Sequence, residues 1–183
     1  MGAAAAASRQ LGRSIRTSAA VVVATAMLAC SPAGSDAPLA GPLDGKSYII
    51  EMSSSQAASG FEAYLLPPLF AAMEKSGLRA QNGPGADVVV NIQTGSDVGK
   101  WIGTGENRQW IYTRFVTVGL SPEDFPIPHD GTPAFGVKAQ LRTPNPDRED
   151  ELSCLIGLAA RTALASYRPT GLDVVEGAAC ARK

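Results

Sequence analysis

Chemically reactive side chains are scarce in this chain. Among 183 residues there is one histidine, His129, and only three cysteines, Cys30, Cys154 and Cys180. A metal site needs three or four converging ligands, and a nucleophilic relay needs its nucleophile held against a base. Neither can be assembled from the spacing around His129, which stands beside Asp130 in a proline-rich stretch. Gly99-Lys100 lacks the Ser or Thr that a phosphate-binding loop places after its lysine, because Trp101 follows instead. Long apolar runs are missing too. The longest, Thr17 to Ala29, is about 13 residues, roughly 20 Å as a helix against a hydrocarbon core of about 30 Å. No cofactor or metal site is therefore expected, and no comfortable transmembrane span.

What is present begins with an ordered leader. Arg9, Arg13 and Arg16 precede the uncharged run, and small residues close it before Cys30. Basic, apolar and small-residue regions in that order read as an export signal. The end of the run, Met27-Leu28-Ala29-Cys30, resembles the lipobox of bacterial lipoproteins, with Met27 where that motif usually has leucine. The resemblance implies cleavage after Ala29 and an acylated Cys30 as the new N-terminus. Ser31, in place of aspartate, resembles lipoproteins released to the outer membrane. The alternative is an ordinary secretory signal with Cys30 merely nearby. Residues 1–29 are thus expected to be the signal peptide and 30–45 the lipidated cysteine and a flexible tether. Residues 46–183 are expected to form a single α+β periplasmic domain. The tether composition, Ser31 to Gly45, offers almost nothing to bury.

Removing the three leader arginines leaves 13 basic against 17 acidic residues, a net charge of −4. That mildly acidic balance argues against nucleic acid and against a polybasic membrane contact. With Cys30 acylated, Cys154 and Cys180 become an even pair in an oxidising compartment, and a disulfide is the expected use. Two free thiols or a single catalytic thiol are the alternatives.

Apolar periodicity places the elements. Lys46–Met52 alternates as a strand, with Tyr48, Ile50 and Met52 on one face. Phe61, Leu65, Leu69 and Met73 follow at helical spacing after the N-cap candidates Ser53 to Ser55. Pro67-Pro68 predicts a kink or a restart, and Gly77-Leu78 a left-handed cap. Ala86–Gln93, with three consecutive valines, reads as a central strand, and Gln109–Leu120 as a long one. Gly95–Asn107 is expected to be loosely structured, Ser121–Pro133 a loop, and Phe135–Leu141 a clean alternating strand. Asn145 with Pro146 predicts a helix start, its acidic set Asp147, Glu149, Asp150 and Glu151 forming a solvated first turn. Leu152 to Tyr167 supplies that helix's apolar face, and the tail from Thr170 has little to bury apart from Leu172, Val174 and Val175. The order β-α-β-β-β-α predicts an α+β fold: a mostly antiparallel sheet of about four strands, with two helices on one face. The segment LFAAMEKSGLRAQNGPGADVVVNI resembles a helix-then-strand pattern of small Gram-negative lipoproteins of unassigned function; the resemblance implies a fold and no reaction.

The group with the most to say is Trp101, Ile102, Trp110 and Ile111. If Gly103–Arg108 is a turn, the two Trp-Ile pairs meet across a hairpin. Cross-strand packing accounts for them, and so does an aromatic contact surface, since tryptophan is enriched where partners dock. Trp101, Ile102 and Trp110 are the candidate partner-binding residues. The function expected is a non-enzymatic binding or structural module of the outer-membrane envelope, an accessory subunit of a transport or assembly complex. The membrane would be reached through the lipid on Cys30, and the partner would be another envelope protein. The alternative is a periplasmic hydrolase whose active site is not recognisable from sequence.

Overall fold

A computed structural model describes residues 41–52, 62–126 and 131–181. Cys30, the leader, most of the tether, Ser53 to Phe61 and the pair His129-Asp130 lie outside the described residues. The end of the expected tether belongs to the domain instead: residues 41–45 form a turn, Leu43 is buried in the core, and the Gly45 amide donates to the Gly77 carbonyl. The elements run β1 (Ser47–Glu51), α1 (Glu62–Lys75), β2 (Arg79–Ala80), β3 (Val88–Ser96), β4 (Lys100–Ile102), β5 (Gln109–Pro122), β6 (Phe135–Thr143), α2 (Glu149–Ala165) and β7 (Gly171–Glu176).

The strands form one seven-stranded sheet in the order β2-β1-β3-β5-β6-β7, with β4 paired to the outer part of β5. The fold is α+β as expected, but the sheet is larger than about four strands, and it is mixed. β1 runs parallel to β2 and β3, and β6 runs parallel to β7, while β3, β5 and β6 are successively antiparallel. The extra strands escaped the sequence because β2 and β4 have two and three residues, too short to show a period of two. β7 covers the tail: of the three apolar residues expected to bury there, Leu172 and Val174 are exposed and Val175 alone packs against the core, so the strand is held chiefly by its ladder to β6.

One face of the sheet carries Val88, Val90, Ile92, Val116, Val118, Leu120, Phe135, Val137, Ala139 and Leu141, all buried. Leu65, Leu69 and Met73 of α1 and Leu152, Leu155, Ile156, Ala159, Ala160 and Ala163 of α2 close over it in one core. The helical spacing in the sequence therefore picked the right faces, except that Phe70, expected beside Leu69 and Met73, is exposed. Helix α1 continues through Pro67 and Pro68 and does not restart there. The two prolines leave the carbonyls of Ala63 and Tyr64 without their usual donors, and both of those residues are exposed, so water can serve them. The helix ends in a complete Schellman motif. Gly77, at φ +79°, donates to the Glu74 carbonyl and Leu78 to that of Met73, with Leu78 buried.

The start of α2 differs from expectation. Asn145 accepts a bond from the Asp147 amide in a local turn, and the helix begins only at Glu149. The acidic set is not wholly solvated either. Glu151 is 2% exposed and pairs with Arg148 at 3.0 Å. Burial pulls the nearby Arg114 below the usual arginine range, and Glu151 and Asp147 oppose that shift. Arg114 also donates to the Arg148 carbonyl, so β5 is fastened to the start of α2.

At the other end of the sheet, Asp87 joins β1 to β3. Its carboxylate accepts bonds from the Ser47 amide, the Ser47 hydroxyl and the Lys46 ammonium, each at 2.9 Å. The Ser47 amide is the leading cause holding the Asp87 pKa at about 2, against an ordinary 3.8. A carboxylate depressed in the folded state stabilises above its unfolded pKa, and that contribution disappears as pH falls through the folded value. The urea midpoint of the parent protein should therefore exceed that of Asp87→Asn at neutral pH, and the gap should close between pH 4 and about 2. A gap that persists below pH 2 would show that the amide substitution disturbs something other than this ionised carboxylate.

Candidate docking hairpin

The stretch Gly95–Asn107 is more ordered than its glycines suggest: it carries the short strand β4 of the hairpin whose turn was expected at Gly103–Arg108. Strand β3 ends at Ser96, opposite Arg114, and the chain then steps aside through Asp97, Val98 and Gly99 before β4 pairs with the outer end of β5. Asp97 fixes that step. Its backbone amide donates to the Thr113 carbonyl, and its carboxylate accepts from the Thr113 and Gly99 amides at 2.7 and 3.0 Å. The Thr113 amide is also the main reason that the Asp97 pKa lies below the ordinary carboxylate range. Gly99 has φ +75°, and a Cβ there would collide with the indole nitrogen of Trp110. A glycine is therefore required both by the backbone and by the ring that crosses it. Gly103 to Arg108 turn the chain, with a 3-10 turn at Gly105–Asn107.

In this register Trp101 stands directly opposite Trp110, Lys100 opposite Ile111, and Ile102 opposite Gln109. The indoles meet edge to face with centroids 5.3 Å apart, and Tyr112 extends the row 6.5 Å beyond Trp110. The Arg108 guanidinium lies 4.9 Å from the Trp101 ring centroid. The two isoleucines do not face each other, so the Trp-Ile pairs meet only through their tryptophans. None of this is core. Trp101 is 55% exposed, Ile102 39% and Trp110 38%, with Val98 beside them almost fully exposed. An edge-to-face pair contributes about 1 kcal/mol to holding the two strands together. It leaves large indole surfaces facing water.

The other sequence candidates are placed more plainly. Cys154 and Cys180 form a disulfide with Cα atoms 5.6 Å apart, which pins the end of the tail to α2. His129 and Cys30 lie outside the described residues. Gly99 and Lys100 belong to the hairpin, with no helix following them. Among the described residues, no three His, Cys, Asp or Glu side chains converge on a point that could hold a metal ion. No described helix is long and apolar enough to cross a membrane. Sequence reasoning missed Asp97 and Arg108 as hairpin residues. Asp97 two residues before Gly99 is the signal that could have found the step, because a short acidic side chain beside glycine favours such a turn.

The fold and the site together define a class: an α+β domain that presents an exposed aromatic hairpin at one end of its sheet. No protein-family model matches the chain, and no curated protein matches its sequence. A crystal structure of a minor lipoprotein from Acinetobacter baumannii is similar, with 14% sequence identity and a TM-score of 0.36. The likeness covers 65% of this chain and 86% of that one. At that level it defines neither the fold nor the role of this chain.

Proposed function

We propose that this chain is a lipid-anchored envelope protein, held to the outer membrane through Cys30 and facing the periplasm, that acts as a non-enzymatic binding module. Its partner is another envelope protein, in the manner of an accessory subunit of a transport or assembly complex. The supporting observation is the hairpin itself. Trp101, Ile102 and Trp110 stand exposed on a two-stranded extension that the core does not need, and large apolar surface kept in water in this way is the mark of a contact site. The leader pattern up to Cys30 supports the anchor.

The test has two arms on one protein. Intact-mass analysis of the mature chain should give an N-terminus at Cys30 carrying acyl mass; a native N-terminus at Ala33 or later would remove the anchor. Trp101→Ala should lower the thermal midpoint by no more than about 4 °C, the loss of one edge-to-face pair, while crosslinking to envelope proteins in intact cells falls severalfold. Loss of stability without a separate loss of crosslinking would assign the indoles to structure alone. Both tryptophans of the chain lie in the hairpin, so intrinsic indole fluorescence reports on this site and nothing else.

A further inference from the structure

The seam between α1 and α2 is grooved. Small residues line it, Ala71 and Ala72 on α1 and Gly157 on α2, and they leave a trough of about 620 Å³. A second hollow of about 260 Å³ shares Ala72, Lys75 and Arg161 with the first and runs on to Leu164 and Ala165 at the end of α2. The Arg161 guanidinium lies back along the trough. A Cβ added at Gly157 would stand 3.0 Å from its Nη1, so the glycine leaves it room. Lys75 and Arg161 are both exposed, and among the described residues neither side chain is ion-paired or hydrogen-bonded. Glu74 and Asp44 line neither hollow. Asp150 does line the larger one, but at the far end of α2, about 16 Å along the helix from Arg161. The middle of a largely apolar groove thus presents two cations and no anion.

The chain enters the domain through this groove. Gly41 lines the second hollow, and a Cβ there would lie 4.0 Å from the Leu164 carbonyl oxygen. Beyond it Leu43 turns into the core and the Gly45 amide reaches the Gly77 carbonyl. Immediately ahead of Gly41 stand Asp36, Ala37, Pro38, Leu39 and Ala40. Asp36 is the one charged residue between Cys30 and Asp44, and Leu39 the one large apolar side chain between Cys30 and Leu43. Five residues span at most about 17 Å, and Gly157 to Leu164 occupies about 10 Å of helix. Asp36 can therefore reach both cations, which line the same hollow as Gly41.

We infer that residues 36–40 occupy the α1–α2 groove, with the Asp36 carboxylate at Lys75 and Arg161 and Leu39 against Leu164 and Ala165. A segment fastened at the edge of its own groove acts at a local concentration on the order of millimolar, so modest contacts suffice to seat it. A second copy or a membrane lipid would have to displace it without that advantage. Pro38 lowers the cost of ordering the segment, because its φ is already fixed. Seating the segment also shortens the tether. With Cys30 acylated as proposed above, residues 31–35 alone would separate lipid from domain, about 17 Å at full extension against about 35 Å for residues 31–40.

The test places benzoylphenylalanine at Leu39 of the full mature chain extracted from membranes. Illumination should give an adduct within one chain that maps to residues 72–76 or 161–165, with a yield unchanged on tenfold dilution. Asp36→Lys should lower that yield about threefold, the effect of an exposed ion pair, and adding Lys75→Glu with Arg161→Glu should restore it. An adduct between two copies, an adduct with phospholipid, attachment elsewhere in the chain, indifference to the charge changes, or no adduct at all would each overturn the inference. The experiment requires neither an acyl group nor a hairpin partner, so its failure would leave the anchor and the docking role standing.

Discussion

Serine at both Cys154 and Cys180 should lower the unfolding free energy by about 3.5 kcal/mol. The bridge joins residues 26 apart, and in the chain-entropy account a closed loop of that length restricts the unfolded chain by about that amount. The folded side explains why little else would compensate. β7 is an edge strand with Leu172 and Val174 exposed, and beyond its ladder to β6 the tail buries chiefly Val175 and Cys180. A loss of that size corresponds to a drop of roughly 10 °C in thermal midpoint for a domain of this length. Amides of Gly171 to Glu176 should also exchange faster than those of β6, because the edge frays first once its fastening is gone. Chemical denaturation of the double variant against the oxidised parent decides the matter. A difference under about 1 kcal/mol would mean that the tail is held by its packing and ladder without help from the bridge.

Glu151→Leu should cost about 3 kcal/mol or more, although leucine is the better helix former and the site is buried. The carboxylate is 2% exposed, pairs with Arg148 at 3.0 Å, and opposes the burial penalty on Arg114. Removing one member of a buried charged group leaves the others uncompensated in a poorly polarisable setting, and such losses run to about 3–5 kcal/mol. Glu149→Leu is the internal control. It lies in the same first turn but is exposed, and it should change stability by no more than about 0.5 kcal/mol. Replacing Arg114 and Glu151 together by methionine and leucine should recover part of the loss, because the buried Arg114 charge is then not left without its carboxylate, while Arg148 is partly exposed and can reach water. Equal stability of Glu151→Leu and Glu149→Leu would show that the buried carboxylate contributes nothing to holding this junction.

Part of the site is legible in the sequence and part is not, for definite reasons. The meeting of Trp101 with Trp110 is legible because a glycine-rich turn between two aromatic strands forces a cross-strand contact. Their exposure is not, since an indole at a core position and one on an extension leave the same local pattern. Arg108 over Trp101 depends on how the turn closes, and Asp97 acts through two amides, one of them 16 residues away. Glu151 looks like its neighbours Glu149 and Asp150 because a helix start is acidic for reasons of its own dipole. Only the position of Arg114 on β5 distinguishes it.

By itself the amino-acid sequence determined the α+β class, the buried faces of both helices and the central place of the valine strand, and it favoured a pairing of the two late cysteines that the fold then established. These follow from local periodicity, from glycine and proline stereochemistry, and from the count of thiols, all of which act over a few residues or on composition alone. Tertiary structure decided the rest. Parallel pairing of β1 with β3 and of β6 with β7 joins segments through long crossovers, and β2 and β4 become strands only because a neighbour offers them a ladder. The placement of chain entry and aromatic hairpin at opposite ends of β5 depends on register across the whole sheet, and a pattern with a period of two carries no information about what lies about 45 Å further along, at about 3.3 Å per residue.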